Sequence, residues 1–142
     1  ASHTEIMVTP EGPKVVEIAA RLGGDYITSK LVPLATGVDM VEASVKAALH
    51  MQVDINPRFD RGSAIRFITA QTGKIDSIDV DAEIRHLPGF EDIALYKKAG
   101  DLISEPHSSN DRIGHVICSG SAAEAAKEAV DKALEMIHVS VS

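Results

Sequence analysis

The sequence has few of the features that mark a disulfide scaffold, a membrane protein or a secreted protein. Cys118 is the only cysteine among 142 residues. A single cysteine excludes an internal disulfide and an all-cysteine metal site. No apolar run approaches the roughly 20 residues that span a bilayer, and the first residues show no charged-then-apolar leader. These absences together predict a cytoplasmic protein in a reducing compartment.

Basic residues are also scarce relative to acidic ones. The chain carries 14 basic and 21 acidic side chains, which gives a formal net charge of −7. This balance argues against sequence-independent nucleic-acid binding, because such binding needs a basic surface. The remaining composition, with 44% hydrophobic and 25% charged residues, is typical of a globular protein of one domain or two small ones.

Strand and helix patterns are mixed along the chain without βαβ alternation, which indicates an α+β fold. Alternating or continuous β-branched residues predict strands at 4–9, 14–19, 63–70, 75–80, 92–98, 113–119 and 138–141. A turn around Gly12 should join the first two strands into a hairpin. A turn at Gly73 should pair 63–70 with 75–80, and the polar stretch 100–112 should be an exposed loop.

Helical spacing of apolar residues, with capping patterns, predicts the helices. Asp39 with Glu42 should open a helix at 40–50, and Ser121 with Glu124 should open one at 122–136. Shorter helices are expected at 26–31, capped by Asp25 and interrupted by Pro33 and Gly37, and at 81–87 before Pro88. The polar link 52–62 predicts a boundary between a segment 1–58 and a C-terminal α+β module 59–142.

Two acidic residues on the predicted hairpin are candidate metal ligands. Glu5 and Glu17 lie in otherwise apolar strands, where a buried carboxylate is costly unless it is compensated. Carboxylates from adjacent strands suit Mg²⁺, which completes its shell with water and phosphate oxygens. Arg21 could hold a phosphate or carboxylate, and Gly23-Gly24 would let backbone N–H groups approach an anion. The alternative is that both glutamates simply face solvent on an exposed hairpin.

The pattern H-T-E-x-x-V-T-x-x-G-P-x-V-V-E-I-A-A-R-L-G-G resembles the C-terminal catalytic part of the ATP-grasp superfamily. In that family one strand carries a glutamate, and the next carries E-x-N-x-R. Glu5 matches the first glutamate, Glu17 the second and Arg21 the arginine, whereas Ala19 stands at the asparagine position. E-I-x-A-R-x-G-G is similar to the carboxylate–amine ligase branch, which includes carbamoyl-phosphate synthase, biotin carboxylase-like and L-amino acid ligase-like enzymes.

The resemblance extends to later segments, namely 34–39, 64–67 and 112–120. It implies an antiparallel sheet with helices followed by a small α+β module. It also implies a site for ATP and Mg²⁺ (or Mn²⁺) in which Glu5 and Glu17 bind the metal and Arg21 acts on the phosphate. Gly23, Gly24 and Asp25 would border the substrates. Whether Ala19 removes a second metal ion stays open.

The same resemblance implies that these residues belong to a longer ligase, which joins a small carboxylate to an amine through an acyl phosphate. The family's N-terminal portion, with its lysines and adenine-binding strand, is not in this sequence. The isolated chain should therefore be inactive. No membrane or nucleic-acid partner is expected, and a homodimer stays open. The alternative function is a non-catalytic module that binds a small ligand or a protein.

Several further residues are weaker candidates. His3 is placed to line the site beside Glu5, or else to be merely exposed. Asp54 to Arg58 (DINPR) imitates the family motif, but Pro57 favours a linker turn. His107 and His115 with Cys118 could suggest a zinc site, but no pair has the close spacing of a zinc motif, and Cys118 in an apolar strand is typical of a small buried hydrophobic residue. Arg66 and Arg112 could reach a substrate carboxylate or could form surface ion pairs.

Overall fold

The computed structural model describes residues 1–105 and 108–142, with only the backbone described at residue 110. His107 therefore lies outside the described residues, as does part of the predicted loop 100–112. The chain divides into two compact units, Ala1–Phe59 and Asp60–Ser142. Strands in both units pair antiparallel and are accompanied by helices, so the predicted α+β class is confirmed. No helix in the described ranges is long and apolar enough to cross a membrane.

The first unit begins with a two-stranded antiparallel hairpin. Strand β1 (His3–Thr9) pairs with strand β2 (Gly12–Ala19). Gly12 adopts a φ of 108° at the turn, a conformation that favours glycine because it has no Cβ. The Thr9 hydroxyl donates to the Gly12 carbonyl oxygen at 2.9 Å and closes the turn. The predicted hairpin is confirmed.

The helical part of this unit differs from the prediction at its start. A π-helical turn (Ile27–Leu31) runs directly into helix α1 (Val32–Thr36). Asp25 does not cap it, since the residue at the cap position is Tyr26, in a left-handed conformation. Pro33 does not interrupt the helix either. It lies in the first turn of α1, where its missing N–H costs nothing, and Gly37 ends the helix at a φ of 75°.

Helix α2 (Met40–Ala48) follows and confirms the predicted capping. The Asp39 carboxylate accepts a hydrogen bond from the Glu42 backbone N–H at 2.9 Å. The Glu42 side chain does not complete a reciprocal box but pairs with Lys46 at 2.6 Å, one turn further along. The helix ends two residues before the predicted limit, and the chain then runs irregularly from residue 51 to residue 61.

Over its described residues, the second unit contains two three-stranded sheets, in the orders β3-β7-β5 and β6-β4-β8. Strands β3 and β4 follow each other in sequence but do not pair, so the predicted hairpin at Gly73 is wrong. Strand β4 instead pairs with β8 and, briefly, with β6. The strands are β3 (Gly62–Ile68), β4 (Gly73–Val80), β5 (Phe90–Leu95), β6 (Leu102–Ile103), β7 (Gly114–Gly120) and β8 (Ile137–Val141).

Helix α3 (Ala123–Glu135) packs on strands β3 and β7 and covers the core of this unit. The expected capping box is wrong, because Ala122 occupies the cap position and no side chain caps the helix. Gly120 explains the tight junction, since a Cβ there would lie 2.5 Å from the Ala126 nitrogen. Short 3₁₀ turns span Ala82–His86 and Ser109–Asp111. Within the predicted loop 100–112, Ile103 is buried.

Charged side chains tie helix α3 to the edge strand β3. Arg66 Nε lies 2.8 Å from Asp131 Oδ1, and Lys127 Nζ lies 2.8 Å from Asp131 Oδ2. The hydrogen bond from Lys127, followed by the charge of Arg66, holds the pKa of Asp131 below its usual range. Arg66 thus forms a structural ion pair within the second unit.

Replacing Asp131 with asparagine should destabilise the fold at neutral pH. A carboxyl group with a lowered folded-state pKa contributes stability above its ordinary pKa of about 4 and loses it as the pH falls through the folded value. The melting temperature of Asp131→Asn should therefore lie below wild type at pH 7, and the gap should close below about pH 4. Glu128→Gln, an exposed position on the same helix, serves as the control. An equal gap at both pH values would contradict the ion-pair account.

Cys118 is fully buried in strand β7, where burial raises the pKa of its thiol to about 11. Because the thiolate is the nucleophile, only about one thiol in a thousand would be ionised at pH 8. We expect an aromatic disulfide reagent to label Cys118 rapidly in urea and very slowly in the native protein. Fast labelling of the native protein would contradict its assignment as a buried hydrophobic side chain.

Candidate functional site

The hairpin of the first unit places the two candidate metal ligands directly opposite each other. Glu5 and Glu17 are Cα partners in the antiparallel register. Partners in such a register project to the same face of the sheet, with Cβ atoms about 4.5–5.5 Å apart. The two carboxylates therefore share one face of the hairpin, although they are twelve positions apart in sequence.

A bulge follows this pair immediately. The register shifts between Glu5 and Ile6, because Ile6 pairs with Val15 and Val16 is the extra residue on β2. Bulges increase the local twist and re-aim neighbouring side chains, and they are over-represented next to active sites. The register on the other side of Glu5 is regular, with Thr4 opposite Ile18 and His3 opposite Ala19.

Exposure alone does not decide between the metal site and the solvated alternative for these glutamates. The side chains of Glu5 and Glu17 are 55% and 57% exposed. However, like charges directly opposite each other across two strands destabilise the pair. A divalent cation between the carboxylates would convert that repulsion into binding. The residues present therefore fit a cation that takes two protein carboxylates and fills its shell with other oxygens.

Arg21 extends the same face beyond Glu17. Its Nη2 lies 4.0 Å from Glu17 Oε1, and its Nη1 donates to the Leu22 carbonyl oxygen at 3.0 Å. A guanidinium has five N–H donors in a planar fork that matches phosphate and carboxylate. The side chain is 59% exposed, so donors beyond the one used on Leu22 can reach an anionic ligand.

The next four residues form a strained turn. Asp25 and Tyr26 have φ values of 50° and 61°, so two consecutive non-glycine residues are left-handed. Such conformations are uncommon, above all for a bulky side chain, and they concentrate at functional sites. The buried Thr28 hydroxyl donates to the Gly23 carbonyl oxygen at 3.0 Å, and the Ile27 N–H donates to the Gly24 carbonyl oxygen at 2.9 Å. These bonds fix the turn, while a Cβ added at Gly24 would meet nothing within 4 Å.

His3 lies closer to this site than its terminal position suggested. Its side chain is 21% exposed, and its Nε2 is 3.5 Å from Glu5 Oε1. The structure therefore brings His3, Glu5, Glu17 and Arg21 to one face. In the described part of the chain, no three His, Cys, Asp or Glu side chains form a group able to hold a metal on their own.

The second copy of the motif has a structural role. The Asp54 carboxylate accepts hydrogen bonds from the Asn56 backbone N–H at 3.0 Å and from Asn56 Nδ2 at 2.8 Å. The backbone bond, followed by the side-chain bond, lowers the pKa of Asp54. This local turn lies in the irregular segment 51–61, as the linker interpretation expected.

The buried side chain of His115 in the second unit is grouped with two more exposed polar residues, an arrangement that the sequence did not predict. The Tyr96 hydroxyl hydrogen-bonds to His115 Nδ1, and His115 Nε2 lies 3.9 Å from Asp92 Oδ2. Tyr96 and Asp92 belong to the strand β5 region, whereas His115 belongs to β7. Only the pairing of those strands brings them together, and local patterns do not specify that pairing.

Arg112, a candidate from the sequence, lies with its guanidinium carbon 3.5 Å from the centroid of the Phe67 ring.

Comparison with known proteins identifies the class of this fold and then the family. A model of the family described as L-amino acid ligase C-terminal domain 2 matches residues 66–142. The match covers more than half of the chain, and the chain belongs to that family. The uncharacterized protein y4rH of Sinorhizobium fredii is 31% identical over an alignment of 142 residues that covers 99% of this chain and 30% of that protein.

Solved structures are similar over almost the entire chain. The L-amino acid ligase of Bacillus licheniformis superposes with a TM-score of 0.80 at 22% identity over 99% of this chain and 36% of that one. Phosphoribosylglycinamide synthetase of Anaerococcus prevotii superposes with a TM-score of 0.75 at 18% identity, over 99% of this chain and 37% of that one. The biotin carboxylase domain of Hydrogenobacter thermophilus 2-oxoglutarate carboxylase, solved with MgADP and bicarbonate, superposes with a TM-score of 0.68 at 19% identity, over 99% of this chain and 32% of that one.

These similarities confirm the resemblance stated from the sequence. The chain has the fold of the C-terminal part of the ATP-grasp carboxylate–amine ligases, with an antiparallel C-terminal subdomain and a following α+β module. It spans between 30% and 37% of the length of the relatives named above.

Proposed function

We propose that this chain supplies the magnesium and phosphate end of the active site of an ATP-dependent carboxylate–amine ligase. The observation that carries the proposal is the direct pairing of Glu5 with Glu17 on one face of the hairpin. Two paired carboxylates and a neighbouring arginine form a set suited to a cation–phosphate ligand. The family of the C-terminal module supports the ligase class.

In the proposed reaction ATP transfers its γ-phosphoryl group to the oxygen of a substrate carboxylate, and ADP leaves. The resulting acyl phosphate is attacked at its carbonyl carbon by an amine, which forms the amide and releases phosphate. Bound Mg²⁺ would supply neutralisation of the phosphate charge. Glu5 and Glu17 would hold the cation from opposite strands, because they are cross-strand partners on one face of the hairpin.

Arg21 is the proposed catalytic residue in contact with the transferred phosphate. Its guanidinium lies beyond Glu17 on the same face, 4.0 Å from that carboxylate. Electrostatic stabilisation of developing oxygen charge is often the largest single contribution to catalysis, and a planar fork of donors fits phosphate oxygens. The hydrogen bond from Nη1 to the Leu22 carbonyl oxygen fixes one of the two terminal nitrogens of the guanidinium group.

Gly23, Gly24 and Asp25 are proposed to border the substrate carboxylate. The strained left-handed pair that begins at Asp25 is consistent with this role, because such strain persists only where the surroundings fix it. Gly24 leaves its backbone open to a ligand, since no atom lies within 4 Å of a Cβ added there.

Replacing Glu17 with glutamine in the full-length protein should abolish amino-acid-dependent ATP consumption. The neutral amide keeps the shape of the side chain but cannot balance a divalent cation. ADP release would be measured with mixtures of L-amino acids, together with a thermal melt to show that the fold is intact. Glu11→Gln, at the exposed turn of the same hairpin, is the matched control. Wild-type turnover of Glu17→Gln would reject the proposed site.

The hairpin also points to the partner that must complete the site. A two-stranded sheet alone is marginally stable in water. Large apolar patches on a surface mark interaction sites. Here the large apolar side chains of the hairpin are between 55% and 87% exposed: Ile6, Met7, Val8, Val15, Val16 and Ile18. We propose that the preceding part of the ligase polypeptide packs on this surface and carries the nucleotide pocket.

A charge placed on this apolar surface distinguishes a covered hairpin from a free one. Ile18 lies opposite Thr4, on the face away from Glu17, and is 66% exposed in this chain. Surface substitutions usually change stability by less than about 0.5 kcal/mol, whereas an unpaired buried charge costs several. Ile18→Lys should therefore markedly lower the melting temperature of the full-length protein. Leu102→Lys, at an even more exposed apolar position, is the control. Equal, small effects would reject the covered surface.

A further inference from the structure

A histidine stands directly opposite the position at which this chain departs from the ATP-grasp pattern. His3 is the Cα partner of Ala19, and two residues further along each strand Glu5 is the partner of Glu17. Since positions two apart on a strand share a face, all four side chains project from the same face. The methyl group of Ala19 cannot hydrogen-bond, so the imidazole of His3 is the polar side chain of this cross-strand pair.

The imidazole is held between the candidate metal ligand and the glycine turn. On one side, His3 Nε2 lies 3.5 Å from Glu5 Oε1. On the other side, a Cβ added at Gly23 would lie 2.9 Å from His3 Nδ1. Gly23 is fixed in turn, because its carbonyl oxygen accepts the hydrogen bond from the buried Thr28 hydroxyl. The ring is therefore packed against backbone, and its freedom to rotate away from Glu5 is limited.

We propose that His3 is a positioning residue for the cation site, an inference that rests on the proposed function of Glu5 and Glu17. The Nε2–H of His3 donates to Glu5 Oε1 and holds that carboxylate towards Glu17. His3 on β1 thereby provides a polar side chain at the cross-strand position where β2 carries only Ala19. The ordering of a ligating carboxylate by an outer hydrogen-bond partner typically accounts for about 10- to 100-fold in metal affinity.

A positioning role fits the contacts better than direct metal binding. The Nε2 atom already faces Glu5, and its distance of 3.5 Å is one that commonly shortens when a ligand is bound. Mg²⁺ prefers oxygen ligands. Within the described ranges, His3, Glu5 and Glu17 do not qualify as a three-residue metal group. The glycine at position 23 has a defined purpose in this arrangement, namely to leave room for the ring.

The test measures metal affinity as well as activity in the full-length protein. Binding of Mn²⁺ in the presence of a non-hydrolysable ATP analogue would be followed by electron paramagnetic resonance. We expect His3→Ala to weaken Mn²⁺ binding by about 10- to 100-fold, with a matching rise in the metal concentration required for half-maximal turnover. His3→Gln, whose amide N–H can replace Nε2–H, should recover most of the affinity.

Two further variants make the test specific to the proposed geometry. Gly23→Ala should weaken Mn²⁺ binding because the new methyl group displaces the ring. Ala19→Asn, introduced into the His3→Ala protein, should restore part of the lost affinity, because it returns a polar group to the vacated place. His86→Ala is the control, since His86 forms a similar exposed pair with Glu83 at 3.3 Å in the second unit.

The outcomes separate this inference from the proposed function. If Glu17→Gln loses Mn²⁺ binding while His3→Ala and Gly23→Ala bind Mn²⁺ like wild type, His3 has no positioning role and the site assignment stands. If Glu17→Gln itself binds Mn²⁺ normally, the site assignment fails, and the inference about His3 fails with it. A thermal melt accompanies each variant. Should His3→Ala not fold, the comparison of His3→Gln with Gly23→Ala decides.

Discussion

The pairing of Glu5 with Glu17 across an antiparallel hairpin is the constraint on which the remainder of the site depends. Carboxylates at directly opposed strand positions repel each other, and exposure to water weakens that repulsion without removing it. A hairpin that is already marginal in isolation has little stability to offset that repulsion. The flanking polar groups lie where they relieve it, with His3 beside one carboxylate and Arg21 beside the other.

The same constraint links ligand binding to assembly. The hairpin exposes large apolar side chains and carries one directly opposed pair of acidic residues, and each feature is unfavourable unless a partner or ligand compensates it. An apolar partner segment would cover the exposed apolar side chains, and a cation with phosphate would neutralise the paired carboxylates. Any group that binds only the completed arrangement stabilises it by mass action. Folding of the hairpin, its docking in the proposed ligase and the binding of Mg²⁺–ATP should therefore reinforce one another.

The sequence predicted those elements whose signals are local. The alternation in residues 4–9 and the turn at Gly12 were sufficient for the hairpin, and Asp39 was sufficient for the start of α2, because each signal acts within a few residues. Strand pairing in the second unit could not be predicted in this way. The pairing of β4 with β8 rather than with β3 joins residues far apart in sequence, such as Ile75 and Val141, and local patterns do not specify such a partner.

The errors at helix starts have a similar cause. Asp25 and Ser121 are good capping residues by type, but capping requires an extended backbone at the cap position. Asp25 is left-handed, and the chain at Ser121 is held by the close approach of Gly120 to Ala126.

The Asn-to-Ala departure at position 19 also could not be interpreted from one strand alone. His3 and Ala19 are sixteen positions apart, and only the register makes them neighbours. A polar role lost from one strand of a hairpin can be supplied from the other because cross-strand partners share a face. For this reason Ala19 by itself does not argue against a functional site. The cross-strand pair of His3 and Ala19 has to be considered together, and in this pair the polar side chain is on β1.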